Sequence, residues 1–194
     1  MAKKILQVPV IVGKGSGQFF IEKDIKISPP SPPVFEIKEI RKWIDVYDIK
    51  AIPGKVIFNA WLWKDINYKT VEHVHDDSVN GPLFHLTTKI PFGGFVEIKD
   101  VEDDDFKDKE KCKDKEKGKE YAELIEAVVE GEIDNLHDKA CVCGVTVFEK
   151  LLEKTVVRVT FKVVRIEHVA IEEKDGKDKG WKDGKDCCSP HRGY

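Results

Sequence analysis

The stretch KVIFNAWLW, residues Lys55–Trp63, decides the fold class, because its apolar side chains recur with a period of two. Successive side chains of an extended strand point to opposite faces. One face of this stretch carries Val56, Phe58, Ala60 and Leu62. The opposite face carries Ile57, Asn59, Trp61 and Trp63. The alternation predicts a β-strand with one apolar face turned toward a core.

Similar short stretches, rich in Val, Ile, Thr and aromatic residues, lie on both sides of this strand. They are separated by the turn signals GKGSG, SPPSPP, IPGK, VNGP and PFGG. Only YAELIEAVVEGEI and FEKLLEK have the spacing typical of a helix, and both are short. We therefore predict an all-β single domain, an antiparallel β-sandwich or a barrel-like fold.

Two segments depart from the strand pattern. Residues 99–120 are almost entirely charged with interleaved signs, which is typical of a solvated loop insertion. Residues 173–194 are rich in Lys, Asp and Gly and end in KDCCSPHRGY, which indicates a flexible tail. We expect one β-domain over residues 1–172, containing the charged insertion, followed by this tail.

The overall composition excludes several functions. Charged residues make up 36% of the 194 residues, but the net charge is only -3, which argues against nucleic acid as a partner. No apolar run approaches the length of about 20 residues that a membrane span needs. The N-terminal apolar run is short, is interrupted by Pro9 and lacks a small-residue cleavage site. It is therefore interpreted as a strand, and no signal peptide is recognised.

Three stretches in order resemble the SPOCS domain, a family of spore-coat and spore-morphogenesis proteins of Gram-positive spore formers. They are IVGKGSGQFFIEKDI, IPGKVIFNAWLWKDINY and HLTTKIPFGGFVEI. The matching positions are Val12-Gly13, Gln18, Ile21-Glu22, Pro53-Gly54-Lys55-Val56, Tyr68, His85 and Pro91-Phe92. The resemblance covers roughly residues 5–100. It implies a compact β-structure used in assembly, with no catalytic residues to carry over, on a spore surface reached without secretion.

The cysteines have no counterpart in that resemblance. They are Cys112 in the insertion, Cys141 and Cys143 in CVCG, and Cys187 and Cys188 in the tail. A disulfide within either doublet would be strained, so each doublet is expected to bond elsewhere. On a strand, the two thiols of CVCG would point to the same side.

Three interpretations of these cysteines stay open. The tail thiols could bond a cysteine of another copy, with Cys112 or the CVCG pair as the target. The two doublets could instead hold zinc, with or without His191, although their spacing is unusual for a structural zinc site. The third interpretation is reduced thiols without a role.

A metal site is also conceivable at the histidines. His73 and His75 in HVH share one strand face, and His85 could supply a third ligand for zinc or copper. The alternative is a half-exposed strand with polar side chains, and it is favoured. We expect no metal and no cofactor.

Several apolar residues are candidates for assembly contacts. Val8, Val10 and Val12 belong to an N-terminal strand that could pair within its own domain or be donated to the edge of a neighbour. Trp61 and Trp63 could form a contact patch or belong to the core. Trp181 is an aromatic residue of the tail that could make an apolar contact. A Lys–Asn bond in the core is also conceivable, but no pair is singled out.

These observations predict a structural protein rather than an enzyme. Its partners would be further copies of itself and possibly other coat or surface proteins. We expect it to self-assemble into a spore-coat layer or an extracellular filament, reinforced by disulfides between subunits. The alternatives are a non-polymerising adaptor that docks on coat or cell-wall components, and a zinc-binding protein that uses the cysteine doublets.

Overall fold

The computed structural model describes residues 3–100 and 119–172. Within these two ranges the chain forms nine β-strands and no α-helix. The strands are β1 Lys3–Lys26, β2 Glu36–Ile52, β3 Lys55–Lys69, β4 His73–His75, β5 Ser78–Asn80, β6 Leu83–Glu97, β7 Lys99–Asp100, β8 Glu120–Val142 and β9 Val145–Glu172. The all-β prediction is confirmed. No helix able to span a membrane occurs in the described ranges.

The strands assemble into two main sheets. One sheet has four strands in the order β7-β1-β9-β8, and the other has three in the order β2-β3-β6. Neighbouring strands are antiparallel, and β4 and β5 form a separate small hairpin. The apolar faces of the two main sheets enclose one core, so the predicted sandwich is confirmed.

The contacts divide the described chain into a large unit, Val8–Glu167, and a small unit built from residues 3–7 and 168–172. In the small unit, Gln7 Nε2 lies 3.1 Å from His168 Nε2. The large unit contains the whole hydrophobic core.

Strand β3 forms the centre of the three-stranded sheet and follows the predicted alternation. Val56, Phe58, Ala60 and Leu62 are all buried, whereas Trp61 and Trp63 lie on the outer face. Phe58 packs edge-on against Phe19 of β1, with the ring centroids 4.9 Å apart. Burial of a side chain such as Val56, Phe58 or Leu62 stabilises the fold by roughly 1.5–3 kcal/mol.

Two of the predicted turns are wrong, because their glycines lie inside strands. GKGSG belongs to β1 and PFGG belongs to β6. A Cβ on Gly15 would collide with the carbonyl oxygen of Glu97, and one on Gly93 would lie 2.7 Å from the oxygen of Phe58. These glycines therefore allow close approach of neighbouring backbones and do not reverse the chain.

The helix-like spacing of YAELIEAVVEGEI and FEKLLEK does not correspond to helices. The first stretch lies in β8 and the second in β9. Register shifts interrupt the β8–β9 pairing between Leu124 and Glu126 and between Val129 and Gly131. Such bulges place an extra residue in β8 and break its alternation, which explains why a period of two was not visible in the first stretch.

The predicted insertion and tail lie largely outside the described residues. Of the insertion, Lys99–Asp100 forms β7, which pairs with Gly13 and Lys14 of β1, and Glu120 begins β8. The tail, with Trp181 and the terminal cysteines, lies outside the description entirely.

Candidate functional site

The two described cysteines lie at the tip of the β8–β9 hairpin. Val142 pairs with Val145, so Cys143 and Gly144 form a two-residue turn with φ angles of 51° and 84°. Cys141 is the penultimate residue of β8, so the expectation that both thiols lie on one strand is wrong. Both thiols are free and exposed. The hairpin therefore presents two nucleophilic sulfur atoms to solvent.

The backbone at this tip is unusual for a cysteine. Two-residue hairpin turns with positive φ at both positions prefer Asn-Gly or Gly-Gly. A left-handed conformation costs an ordinary L-residue about 1–2 kcal/mol. Cys143 therefore occupies a position where the turn itself would favour another residue.

The other predicted cysteines, Cys112, Cys187 and Cys188, lie outside the described residues, as does His191. The geometry of a disulfide or of a zinc site that includes them is therefore not described. Among residues 3–100 and 119–172, no group of three or more His, Cys, Asp or Glu side chains is arranged to hold a metal ion.

The three candidate histidines occupy polar surface positions. His73 and His75 are exposed on β4, and the Nδ1 atom of His75 lies 3.0 Å from Asp76. His85 on β6 lies 3.1 Å from the hydroxyl of Thr87. Each imidazole is thus found on a solvated strand.

The outer face of the three-stranded sheet carries an aromatic cluster. We call this the aromatic face, and it consists of Trp43, Tyr47, Trp61 and Trp63. The rings of Trp43 and Trp63 stack at 5.8 Å, and those of Tyr47 and Trp61 stack at 5.4 Å. Lys89 Nζ of β6 lies 4.4 Å from the centroid of Trp61. Trp61 and Trp63 therefore lie outside the core, on a partly exposed surface.

The candidate residues at the N-terminus lie in β1, which pairs with β9 of the same chain. Val8 is exposed, Val10 is partly buried, and Val12 packs against the core. In this chain the strand is thus accommodated in its own sheet.

A cleft of about 460 Å³ opens beside β7. Its polar side is formed by Arg165, which lies 2.8 Å from Glu167 and 3.5 Å from Glu120. The described lining contains no Ser, Cys or His side chain that could act as a nucleophile or a base.

A group of charged side chains lies between the two sheets, where sequence reasoning placed only apolar residues. We call this the buried charge cluster, and its central members are Lys42, Lys64, Asp134 and Glu153. Lys42 of β2 is the cross-strand neighbour of Lys64 of β3, and Asp134 of β8 is that of Glu153 of β9. The cluster thus sets a pair of lysines on one sheet against a pair of carboxylates on the other.

These side chains are almost completely removed from solvent. Lys64 and Glu153 are 0% exposed, Lys42 is 4% exposed and Asp134 is 14% exposed. Moving one charge of this kind into a protein interior costs several kcal/mol unless partners compensate it. The contacts within the cluster therefore determine whether this part of the core is stable.

Every central member has an oppositely charged partner. Lys64 Nζ contacts Asp134 Oδ1 and Glu153 Oε2. Lys42 Nζ lies 2.9 Å from Glu153 Oε1, 3.1 Å from Asp134 Oδ2 and 2.6 Å from Glu132 at the edge of the cluster.

The hydroxyl of Thr155 donates a further hydrogen bond to Glu153 Oε1. In the described part of the chain no buried side-chain polar atom lacks a hydrogen-bond partner. The buried polar atoms of the cluster therefore all have hydrogen-bond partners.

The electrostatics of the cluster keep Lys42 charged. Burial alone lowers the pKa of Lys42, but hydrogen bonds to Glu132 and Glu153 outweigh it and hold the pKa above its ordinary value. Burial alone has the opposite effect on a carboxyl group and raises the pKa of Asp134. Hydrogen bonds with Glu153 and Lys64 outweigh it and hold the pKa of Asp134 below its ordinary value. The resting cluster therefore contains an ammonium at Lys42 and a carboxylate at Asp134.

A local signal for the cluster was present in the sequence. The alternation of β3 continues past Trp63, which places Lys64 on the buried face between Leu62 and Ile66. Glu153 has the same place on β9, between the buried residues Leu151 and Thr155. A charged residue in the apolar register of a strand indicates a buried partner on the facing sheet.

Comparison with known proteins supports the predicted family resemblance over part of the chain. Residues 33–113 match the family described as SipL, SPOCS domain, so the predicted resemblance is confirmed over that range. The range contains β2, β3 and β6, whereas the first of the three predicted stretches, in β1, lies before it.

The chain is also 24% identical to Exosporium protein C of Clostridium sporogenes (strain ATCC 15579). The alignment covers 88% of this chain and 77% of that protein. No solved structure matches the chain.

Proposed function

We propose that this protein is a structural subunit that self-assembles into a layer or filament on the spore surface. Its similarity to a protein named for the exosporium and its match to the SPOCS domain support the location. The all-β sandwich, with no Ser, Cys or His side chain lining its described cleft, supports a structural role over an enzymatic one.

The observation that carries the proposal is the pair of exposed thiols at the tip of the β8–β9 hairpin. A fold does not need cysteines at a solvent-exposed tip, and Cys143 is there in a backbone conformation that disfavours it. In the proposed assembly, Cys187 or Cys188 of one copy bonds Cys141 or Cys143 of the next, or Cys112. A tail with the composition of a flexible arm suits this reach.

Noncovalent contacts would set the register before oxidation. The aromatic face offers stacked rings on the outer side of its sheet, and large aromatic side chains are enriched in the cores of protein interfaces. The exposed Val8 and its neighbours in β1 offer a second apolar strip, which a strand of another copy could extend. Alternatively, β1 of one subunit could leave its own sheet and pair in the sheet of the next subunit, which would give a more extensive contact.

The test is electrophoresis of the purified, assembled protein with and without reductant, combined with negative-stain microscopy. We expect ordered filaments or sheets, and a ladder of covalent oligomers that reductant collapses to monomer. Replacing Cys187 and Cys188 by Ser should remove the ladder. Replacing Cys141 and Cys143 by Ser should remove it when the hairpin tip is the target, and Cys112→Ser should remove it when Cys112 is the target, so these two variants identify the partner of the tail. Monomer alone without reductant would contradict the disulfides, and the absence of ordered particles would contradict assembly.

The aromatic face also favours a second candidate, an adaptor that docks on another coat or cell-wall component without polymerising. This candidate expects a protein that stays small at high concentration in analytical ultracentrifugation. It also expects Trp61→Ala to weaken docking without changing the sedimentation of the protein alone.

A further inference from the structure

We propose that Lys64 and Asp134 form an intramolecular isopeptide bond, with Glu153 as the carboxylate that carries the protons. The bond would join Nζ of Lys64 on β3 to Cγ of Asp134 on β8. It would therefore link the two sheets of the sandwich covalently. This proposal concerns the stability of each subunit and does not depend on the assembly proposed above.

The first argument is the placement of the three groups. Lys64 Nζ contacts a carboxylate oxygen of Asp134 and one of Glu153 at the same time, in a site closed to solvent. All three residues sit on strands whose neighbours pair residue by residue, so their positions are held by the sheets. An amine and a carboxyl group oriented in this way react as if at an effective concentration of about 10⁵–10⁸ M.

The second argument is that the reaction balances with the groups present. Lys64 as an ammonium carries three protons on nitrogen, and the amide product keeps one of them. Glu153 accepts the other two in turn and passes them to one oxygen of Asp134. The lone pair of the amine attacks Cγ, the bond from Cγ to that oxygen breaks, and the oxygen leaves as water. Glu153 returns to its starting state, and no oxidant or external reactant is required.

The third argument is the position of the second lysine. Lys42 Nζ lies 3.1 Å from Asp134 Oδ2, the oxygen that Lys64 does not contact. Negative charge develops on this oxygen when nitrogen attacks Cγ, and a fixed ammonium beside it stabilises that charge. Contacts with three carboxylates hold Lys42 in place and keep its pKa above the ordinary value, so this nitrogen stays an ammonium. Lys42 thus stabilises the developing negative charge, Cγ of Asp134 is the electrophile, and Lys64 is the nucleophile.

The surroundings also favour the product. The unreacted site holds two ammoniums and two carboxylates largely away from water, at the desolvation cost of buried charges. Amide formation removes one positive and one negative charge and leaves a neutral group that Lys42 and Glu153 can hydrogen-bond. Glu153 and Lys42 then remain as one balanced pair, 2.9 Å apart.

The test is the intact mass of the full chain, purified in reductant and fully denatured. We expect a mass lower than the sequence mass by one water. Proteolysis should then yield one branched peptide in which the Lys64 segment is joined to the Asp134 segment. A chain at its full sequence mass would overturn the proposal. So would a branch through Lys42, or water loss without a branched peptide.

Three variants test the assigned roles. Asp134→Asn should still react but lose one ammonia instead of one water, a signature that only a reacting side chain can give. Lys64→Arg should restore the full mass, because its guanidinium does not form the amide. Glu153→Gln should restore most of the full mass, because its amide cannot carry the protons. A completely cross-linked Glu153→Gln protein would remove Glu153 from the mechanism.

The matched control is Lys150→Arg, which changes a lysine 2.7 Å from Asp138 in an exposed ion pair. It should keep the wild-type loss of one water. Should a core variant fail to fold, the wild-type mass and branched peptide still decide the proposal by themselves.

Discussion

The middle and the tip of the β8–β9 hairpin are chemically opposite. In the middle, Asp134 and Glu153 are neighbours across the two strands, largely or fully buried and held against lysines of the other sheet. At the tip, Cys141 and Cys143 are exposed and unbonded. The same pair of strands therefore offers reactive groups only to its own chain at one place, and to any other molecule at another. Solvent exposure, more than residue type, decides whether a group can react only within its own chain or also with another molecule.

The largest expected effect comes from breaking the middle of the hairpin's charge network. Replacing Lys64 by Met leaves Glu153 buried with less compensation and also removes the proposed amide, so we expect the free energy of unfolding to fall by at least about 3–5 kcal/mol. Urea unfolding in the presence of reductant measures this effect without any contribution from disulfides. The matched control is Lys162→Met, whose partner Glu123 is 2.7 Å away on the surface, with an expected loss of less than about 1 kcal/mol. Equal losses in the two variants would erase the distinction between the buried and exposed regions.

The tip should respond in the opposite direction. Cys143→Asn places a residue that tolerates positive φ in the turn, so we expect the reduced protein to become more stable by about 1 kcal/mol. The urea midpoint of the reduced protein measures the change. Cys141→Ser, which keeps its position on β8, should stay within about 0.5 kcal/mol of the parent. A lower stability for Cys143→Asn would mean that the thiol contributes to the fold, contrary to its exposed position.

The aromatic face gives a smaller effect, because its contacts are partly solvated. Lys89→Gln removes a cation that lies 4.4 Å from the centroid of Trp61, and a loss of about 0.5–1 kcal/mol is expected. Urea unfolding followed by tryptophan fluorescence reports on these rings directly. Lys50→Gln, an exposed change on β2, is the control and should be neutral. A loss as large as that of Lys64→Met would show that this surface belongs energetically to the core.

The smallest expected effect lies between the middle and the tip, at the exposed Asp138. The hydrogen bond from Lys150 holds the pKa of Asp138 below its ordinary value of 3.8. A lowered pKa means that this ion pair stabilises the fold above the pKa of the unfolded chain. The stabilisation is then lost as the pH falls through the lower, folded value.

The measurement is an NMR titration of the side-chain carboxyl carbon. Lys150→Gln should raise the pKa of Asp138 toward 3.8, whereas Lys154→Gln, which removes a partner of Glu22, should leave it unchanged. An unchanged pKa in Lys150→Gln would assign the shift to another cause.

The fold was predictable where pairing is regular and less so where it is not. Residues 55–63 alternate without interruption, and the structure confirms both their faces. In β8 the register shifts near Glu126 and Gly131 scatter the apolar positions, so the same reasoning gave a helix-like pattern. Bulges are defined by two strands together and leave no reliable trace in either one alone.

The candidate site was predictable only in part. The cysteines stood out in the sequence because several lie in segments that cannot bury them. The structure places two of them, Cys141 and Cys143, at the tip of the β8–β9 hairpin. The buried charge cluster was missed, although Lys64 falls in the apolar register of its strand. Its partner Glu153 lies 89 positions further along the chain, on the opposite sheet. Contacts between sheets are set by how the layers stack, which no local pattern encodes.

The separation between Lys64 and Asp134 along the chain has a topological consequence. An amide between them closes residues 64–134 into a ring, and the charged segment 101–118 lies within that ring. A protease that cuts the backbone once inside the ring would open it without producing two fragments, so the nicked molecule would still migrate as one covalent species after denaturation. A second cut within the ring would release only the peptide between the cuts, and both ends of the chain would remain joined.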